Sequence, residues 1–198
     1  MAVFAVLMRL RQICCDPRLV ADNWSGGSAK LDACMELVTA AVEGGHRILL
    51  FSQFTSMLDL LAQRLDEAGV SHFTLQGSTP KPVRAEQVRR FNQGEADVFL
   101  ISLRAGGTGL NLTAADIVIH YDPWWNLAAQ NQATDRAYRI GQRNPVQVYR
   151  LIAQDTIEEK IVELQQAKQS LADTVTGGAD GAILSMNPEQ LLQLLGEE

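Results

Sequence analysis

Short apolar segments alternate with longer amphipathic segments through most of this 198-residue chain. The predicted strands cover 47–51, 72–75, 98–102, 117–120 and 146–152, and the predicted helices cover 29–42, 56–68, 81–91, 127–139 and 157–172. Apolar strands that alternate with helices form a parallel sheet buried between two layers of helices. The sequence therefore predicts a three-layer α/β fold, whose ligands should bind at the carboxyl ends of the strands.

Two segments flank this alternating region. Residues 3–15 have the periodicity of an amphipathic helix, which Asp16-Pro17 ends. Ser28 is in a position to cap the next helix. We predict a leading helix and loop over 1–27, a central domain over 28–154 and a helical extension over 155–198, in which 188–195 form a last short helix.

The net charge of -6 argues against a nucleic-acid partner, but the charges are unevenly distributed. Residues 1–150 contain 15 Lys and Arg against 14 Asp and Glu, whereas residues 151–198 contain 2 against 9. The near-neutral core can carry a local basic strip. The sequence has neither a membrane-spanning apolar run nor a basic leader, and its three cysteines lack CxxC spacing, so we expect reduced structural thiols and no metal site.

No GxxxxGK[ST] phosphate loop is present in the sequence. Asp66-Glu67 could imitate the acidic pair of a magnesium site. However, the pair follows a helical pattern and precedes Gly69, so we interpret it as solvated helix surface. The chain alone is therefore predicted to lack the usual means of binding a nucleotide triphosphate and its magnesium.

A glycine-rich segment, SLRAGGTGLN, follows the predicted strand 98–102. Three glycines within four positions are costly unless the backbone must approach something closely. One interpretation is a tight turn after the strand, and the other is a loop whose backbone N–H groups contact phosphate.

Polar side chains follow two other strands. Ser52 and Gln53 end the segment ILLFSQF, where they could meet nucleotide or DNA, or Ser52 could cap the next helix. In LQGSTPKPVR, Gly77 permits an unusual backbone angle, Ser78 or Thr79 could cap a helix, and the free N–H groups of that helix would attract phosphate.

Two further segments carry a tryptophan pair and a polar helix face. YDPWWN places two adjacent tryptophans in different directions, so one of them should be exposed. In QNQATDRAYRIGQ, Gln132, Arg136 and Arg139 share one helix face. That face could be plain surface with an Asp135–Arg139 pair, or it could neutralise a phosphate.

Together these segments resemble the second, C-terminal RecA-like lobe of Swi/Snf-type DNA-dependent ATPases, translocases of helicase superfamily two. The resemblance includes the leading segment MRLRQICCDP, where exposed Arg9 or Arg11 could touch DNA or the first lobe. It implies that Arg136 and Arg139 are arginine fingers, and leaves open which one dominates. It further implies cofactor contacts by Gln132, Gly107 and Gly109, and DNA contacts by Ser52, Gln53, Gly77, Ser78, Thr79, Arg104, Thr108 and Trp125.

The resemblance implies that the cofactor is ATP, with Mg²⁺ held by a first lobe that this chain lacks, so the isolated chain should not hydrolyse ATP. The implied partners are double-stranded DNA, the first lobe and DNA-bound proteins, with no membrane. The implied location is cytoplasmic, with nucleoid association in a bacterium, or nuclear in a eukaryote. Two alternatives are a non-catalytic doubly wound module that binds nucleotide or protein, and a strand-separating helicase lobe.

Overall fold

The computed structural model describes residues 2–21, 23–103, 110–135 and 145–174, without the side chains of residues 2, 128, 129 and 168–174. The helices are α1 (Ala2–Cys15), α2 (Ala29–Glu43), α3 (Thr55–Glu67), α4 (Lys81–Asn92), α5 (Leu127–Thr134) and α6 (Ile157–Thr174), with a short 3₁₀ turn at Pro17–Leu19. The strands are β1 (Ile48–Ser52), β2 (His72–Leu75), β3 (Val98–Ser102), β4 (Ile117–His120) and β5 (Gln147–Arg150).

The five strands form one parallel sheet in the order β2-β3-β1-β4-β5, so the predicted three-layer α/β fold is confirmed. Strand β1 lies at the centre and pairs with β3 on one side and β4 on the other. Because the chain crosses β1 between β3 and β4, the strand order reverses there. Ligands of open parallel sheets bind beside such a reversal, at the carboxyl ends.

The apolar strand residues divide into two core layers, one on each face of the sheet. Leu50 and Ile119 face the layer that contains α2 and α3, whereas Leu49, Phe99 and Val118 face the layer that contains Phe91 of α4. All five are fully buried. Alternate residues of a strand point to opposite faces, and a sheet covered on both faces therefore needs continuous apolar strands.

Helices α1 and α6 pack against each other across the edge of the domain. Leu7 of α1 and Ile157 and Ile161 of α6 form a third apolar cluster, against which Trp125 packs. The proposed boundaries at 27 and 154 stay a prediction. None of the helices among the described residues is long and apolar enough to span a membrane.

Helix starts agree with the sequence in one case and differ in another. Ser28 caps α2 as predicted, and its Oγ accepts a hydrogen bond from the Leu31 N–H at 3.4 Å. The predicted cap of α4 by Ser78 or Thr79 is wrong, because Pro80 is the N-cap residue and makes no side-chain capping bond. Gly77 is not among the described residues with a positive φ, so the unusual backbone angle that a glycine permits is not used there.

Candidate nucleotide and nucleic-acid interface

Ser52 at the end of β1 and Asp122 just after β4 meet at the carboxyl edge of the sheet. The Ser52 hydroxyl donates to Asp122 Oδ1 at 2.6 Å and accepts from the Phe54 N–H at 3.2 Å. Both side chains are buried. Ser52 thus holds the turn before α3 without being its N-cap residue, which is Phe54. Its DNA contact stays a prediction, and its side chain is fully engaged inside the protein.

Arg11 of α1 reaches the same place from the opposite direction. Its guanidinium Nη2 donates to the Pro123 carbonyl at 2.6 Å and lies 3.8 Å from Asp122 Oδ2. The expectation that Arg11 is exposed and free to touch DNA is wrong, since only 1% of its side chain is accessible. Helix α1 turns this residue inward, beside Leu7, because the two positions lie four apart on one face.

Burial disfavours the charged forms of both Arg11 and Asp122. Removal from water lowers the pKa of Arg11 and raises the pKa of Asp122. The Ser52 hydrogen bond and the nearby Arg11 charge oppose the shift of the Asp122 pKa without reversing its direction. A loosely paired buried arginine and aspartate therefore lie under the edge where ligand is expected. The sequence offered a signal for Asp122, because this residue follows a buried strand closely, just as Ser52 ends another.

Gln53, the residue after β1, has a side-chain donor that no described residue accepts. Its backbone N–H donates to Asp122 Oδ1 at 3.3 Å, which fixes the start of the loop. Its side-chain Nε2 is buried and has no hydrogen-bond partner among the described residues. A buried amide donor without a partner is costly, so this nitrogen is suited to a ligand oxygen.

Gly77, Ser78 and Thr79 form the turn that precedes α4. Gly77 and Ser78 are exposed, whereas Thr79 Oγ1 accepts from the Gln76 N–H at 3.0 Å. Since Pro82 lacks an N–H, the donors in the first turn of α4 are those of Lys81 and Val83. An exposed helix start with a lysine at its first position favours an anion such as a DNA phosphate.

Helix α5 is fixed by one face and presents the other. Gln130 is buried, and its Oε1 accepts from the Trp124 N–H at 3.2 Å, while His120 Nε2 lies 2.9 Å from Thr134 Oγ1. Ala133 is also buried, whereas Gln132 is exposed. The core contacts therefore set the orientation of Gln132. This residue lies two positions after Gln130 in the helix, so it points away from the core.

The expectation that one of the adjacent tryptophans is exposed is wrong, because both are partly buried. Trp124 packs against the second core layer and Trp125 against the cluster of α1 and α6. The Trp125 ring lies under the Arg11 guanidinium, 4.7 Å from its central carbon. This contact connects the loop after β4 to the leading helix.

Several predicted site residues lie outside the described residues. They are Arg104, Gly107, Thr108, Gly109, Arg136 and Arg139. Their proposed roles stay predictions that rest on the sequence. The described part of the chain brings Ser52, Gln53, Trp125 and Gln132 to the carboxyl edge around β1 and β4, and places Gly77–Thr79 after the edge strand β2.

An open groove of about 860 Å³ lies elsewhere, between α2 and α3. It is lined by Asp32, Glu36, Glu43 and Glu67, with Arg64 among them. Four carboxylates repel a phosphate, so this groove does not fit a nucleotide or DNA. Among the described residues no three His, Cys, Asp or Glu side chains gather in the manner of a metal site.

Comparison with known proteins decides the family. The model of the helicase conserved C-terminal domain matches residues 29–141, which is more than half of the chain. The chain belongs to this family. The C-terminal domain of the SWI2/SNF2 ATPase of Sulfolobus solfataricus superposes with a TM-score of 0.75 and 30% identity, covering 97% of this chain and 80% of that one. This helicase lobe is therefore of the Swi/Snf type, as the sequence predicted.

Relatives with curated descriptions agree with that assignment. An uncharacterized ATP-dependent helicase of Mycoplasma pneumoniae is 40% identical over 97% of this lobe. The mouse SWI/SNF-related matrix-associated actin-dependent regulator of chromatin, subfamily A member 1, is 39% identical over 88% of it. The lobe spans about a fifth of the length of either relative, which leaves room in them for further domains.

Proposed function

We propose that this lobe works as the second half of an ATP-driven translocase on double-stranded DNA. In this role it supplies arginine fingers and contacts to the DNA backbone, while a first lobe supplies the phosphate loop and holds Mg²⁺. The observation that carries the proposal is the anchoring of α5. Buried Gln130 and partly buried Thr134 fix this helix at the carboxyl edge, and Gln132 faces outward on the side that the sequence spacing shares with Arg136 and Arg139.

The donors on this face of α5 fit a nucleoside triphosphate. Gln132, Arg136 and Arg139 offer amide and guanidinium N–H groups, which match the oxygens of a negatively charged phosphate. Bound ATP supplies the phosphoryl group whose transfer to water drives the lobes. The arginines stabilise charge that develops during the transfer, and Gln132 orients the phosphate chain. Gly107 and Gly109 would let the backbone of the preceding loop approach the same cleft.

DNA contacts are proposed for the turn before α4 and for the loops at the carboxyl ends of the neighbouring strands. Gly77 and Ser78 are exposed beside the donors of Lys81 and Val83, which suit a backbone phosphate. Gln53 offers a side-chain Nε2 that has no partner in the part of the chain the structure describes, and Arg104, Thr108 and Trp125 complete the predicted surface. Ser52 and Thr79 serve this surface through internal hydrogen bonds that hold the two turns. Contacts of this kind read no sequence and weaken as salt rises.

The finger assignment is tested in the whole enzyme. Arg139→Ala should lower ATP turnover by roughly a thousandfold or more while ATP and DNA binding persist, because a finger acts on charge present only during transfer. Arg136→Ala should behave similarly. Arg64→Ala, at a partly exposed surface arginine of α3, is the matched control. Normal turnover in Arg139→Ala would exclude the finger role, and unfolding of the variant would make the arginine structural.

The division of labour between lobes is tested with the 198-residue chain. Phosphate release should stay at background with or without duplex DNA, since the sequence has no phosphate loop. Labelled duplexes of different sequence should bind weakly and with similar affinity, and less at higher salt. DNA-stimulated turnover by the pure chain would contradict the single-lobe assignment. Tight, salt-insensitive binding to one sequence would contradict the backbone contacts.

A further inference from the structure

Side chains from both flanking helices hold the loop that follows β4, residues 121–126. Arg11 of α1 donates from Nη2 to the Pro123 carbonyl at 2.6 Å. Gln165 of α6 donates from Nε2 to the carbonyl of the next residue, Trp124. Two consecutive peptides are thus held from two helices that are more than a hundred positions apart in the sequence. We refer to Arg11 and Gln165 as the loop clamp.

Arg11 also determines the surroundings of Trp125. Its guanidinium lies 4.7 Å from the Trp125 ring centre and 5.8 Å from that of Phe54. A planar guanidinium can stack on an aromatic ring while it donates hydrogen bonds from its edge. The indole Nε1 of Trp125 is buried and has no hydrogen-bond partner among the described residues, so the ring is held mainly by stacking and packing.

Stability alone does not explain a buried arginine at this position. The ion pair with Asp122 is loose, at 3.8 Å, and Arg11 Nε has no hydrogen-bond partner among the described residues. Apolar residues of similar volume often stabilise such a site as well as a buried ion pair does. The contacts that Arg11 completes are those to Pro123 and Trp125, which suggests a role in fixing the position of the loop.

We propose that Arg11, together with Gln165, is a positioning residue that holds Trp125 and the start of α5 in the orientation that engages DNA. The inference rests on the proposed function, because it takes the loop 121–126 to face DNA. It adds that the positions of α1 and α6 set the position of the loop 121–126 through the loop clamp. A shift of either helix would reorient Trp125 without any change in the sheet.

The first test measures the loop without DNA. Trp24→Phe removes the remaining tryptophan of the chain, so the emission comes from Trp124 and Trp125 alone. In this background, Arg11→Met should shift the emission and increase quenching by acrylamide, because the guanidinium no longer covers Trp125. Gln165→Met should act in the same direction. Arg64→Met matches the loss of charge at a partly exposed arginine, and Gln166→Met matches the substitution at an exposed neighbour on α6. Both controls should leave the signal unchanged.

The second test adds duplex DNA to the same chain. Arg11→Met should weaken binding by about tenfold, the equivalent of one lost stacking or hydrogen-bonding contact. Arg64→Met, with the same net charge, should bind like the parent. Arg11→Lys keeps the charge but lacks the planar fork, so it should fall between the two. If the parent chain does not bind DNA, the proposed function fails, and the fluorescence still decides whether the clamp exists.

A third arm separates positioning from simple loss of folding. Asp122→Asn combined with Arg11→Met removes the carboxylate that the single variant leaves unpaired, and the asparagine oxygen can still accept from Ser52. This double variant should melt near the parent temperature and keep the fluorescence shift and the weak DNA binding. In the whole enzyme it should lower the DNA-stimulated turnover relative to the DNA-free turnover. Unchanged fluorescence and DNA affinity in a folded Arg11 variant would overturn the proposal.

Discussion

The region around the loop 121–126 and the region around α4 both contain charged side chains, but they use them differently. Around the loop the charges are buried and contact other elements: Arg11 reaches Pro123, and Lys30 of α2 reaches Glu158 of α6 at 2.5 Å. On α4 the charges are exposed and contact near neighbours, as Arg89 does with Glu86 at 2.6 Å. Charges in the first region fix how elements meet, and those in the second remain available to a ligand.

This contrast predicts very different costs for removing a charge. A buried ion that loses its partner has neither water nor an opposite charge near it, whereas an exposed ion regains water at once. The expected effects on the free energy of unfolding therefore fall steeply from the first region to the second.

The largest effect is expected for Lys30→Met. Glu158, only 1% exposed, would lose both of its bonds from Lys30 Nζ, and burial already raises its pKa. Breaking a buried pair costs about 3–5 kcal/mol. Urea unfolding at neutral pH measures this loss. Lys30→Met combined with Glu158→Leu should recover much of the lost stability. The control Asp155→Asn, at an exposed residue just before α6, should cost little.

A loss of less than 1 kcal/mol for Lys30→Met would place this pair with the surface pairs of α4 and break the comparison at its strongest point.

The next effect depends on pH. Burial, and then the charge of Arg150, lower the pKa of His120 from 6.5 to about 4. Below pH 6.5 His120 is protonated in the unfolded chain but still neutral in the folded chain. The free energy of unfolding should therefore fall as the pH drops from 6.5 to 4, and His120 should cost no stability above pH 6.5. The full difference is at most about 3 kcal/mol. His120→Gln should remove this part of the pH dependence, measured by urea unfolding at pH 7.5 and 5.5.

If the wild type and His120→Gln lose stability equally between those two pH values, then His120 is not the group responsible for the loss.

A smaller effect distinguishes two glycines at the ends of the α4 region. Gly94 has φ +88, and an added Cβ would lie within van der Waals overlap of the Arg47 guanidinium, whereas Gly77 has open space for a Cβ. Gly94→Ala should cost about 1 kcal/mol, the ordinary penalty for a left-handed residue. Gly77→Ala should leave the melting temperature unchanged. Any loss of DNA binding in Gly77→Ala would then come from the contact itself.

An unchanged melting temperature in Gly94→Ala would show that the backbone at Gly94 relaxes freely. A lowered melting temperature in Gly77→Ala would remove its value as a folding-neutral probe of the interface.

The smallest effect is expected for Arg89→Ala. Its pair with Glu86 is fully exposed, so unfolding should not change measurably, although the Glu86 hydrogen bond raises the pKa of Arg89. DNA binding by the chain should weaken only if this part of α4 faces the duplex, which a titration at low salt measures. A clear loss of stability would show that the surface pair has a structural role.

Most of the fold could be predicted from the sequence because its signals are local. The strand β3 has the bounds that the apolar pattern predicts, and β1 differs by one residue at each end. The start of α4 was harder, since Ser78, Thr79 and Pro80 each suit a capping position and their relative placement depends on the preceding turn. Of the site, the sequence indicated Gln53, Trp125 and Gln132, and the role of Asp122 was missed.

The sequence by itself determined the alternation of strands and helices, the missing phosphate loop and the polar positions at strand ends, because each depends on residues close together in the chain. Only the tertiary structure decided that Arg11 is buried and that it meets Pro123, Asp122 and Trp125, more than a hundred positions away. Helical periodicity tells which residues share a face. Which face turns inward depends on the packing of α1 against α6 and the sheet, and that packing is a property of the whole fold.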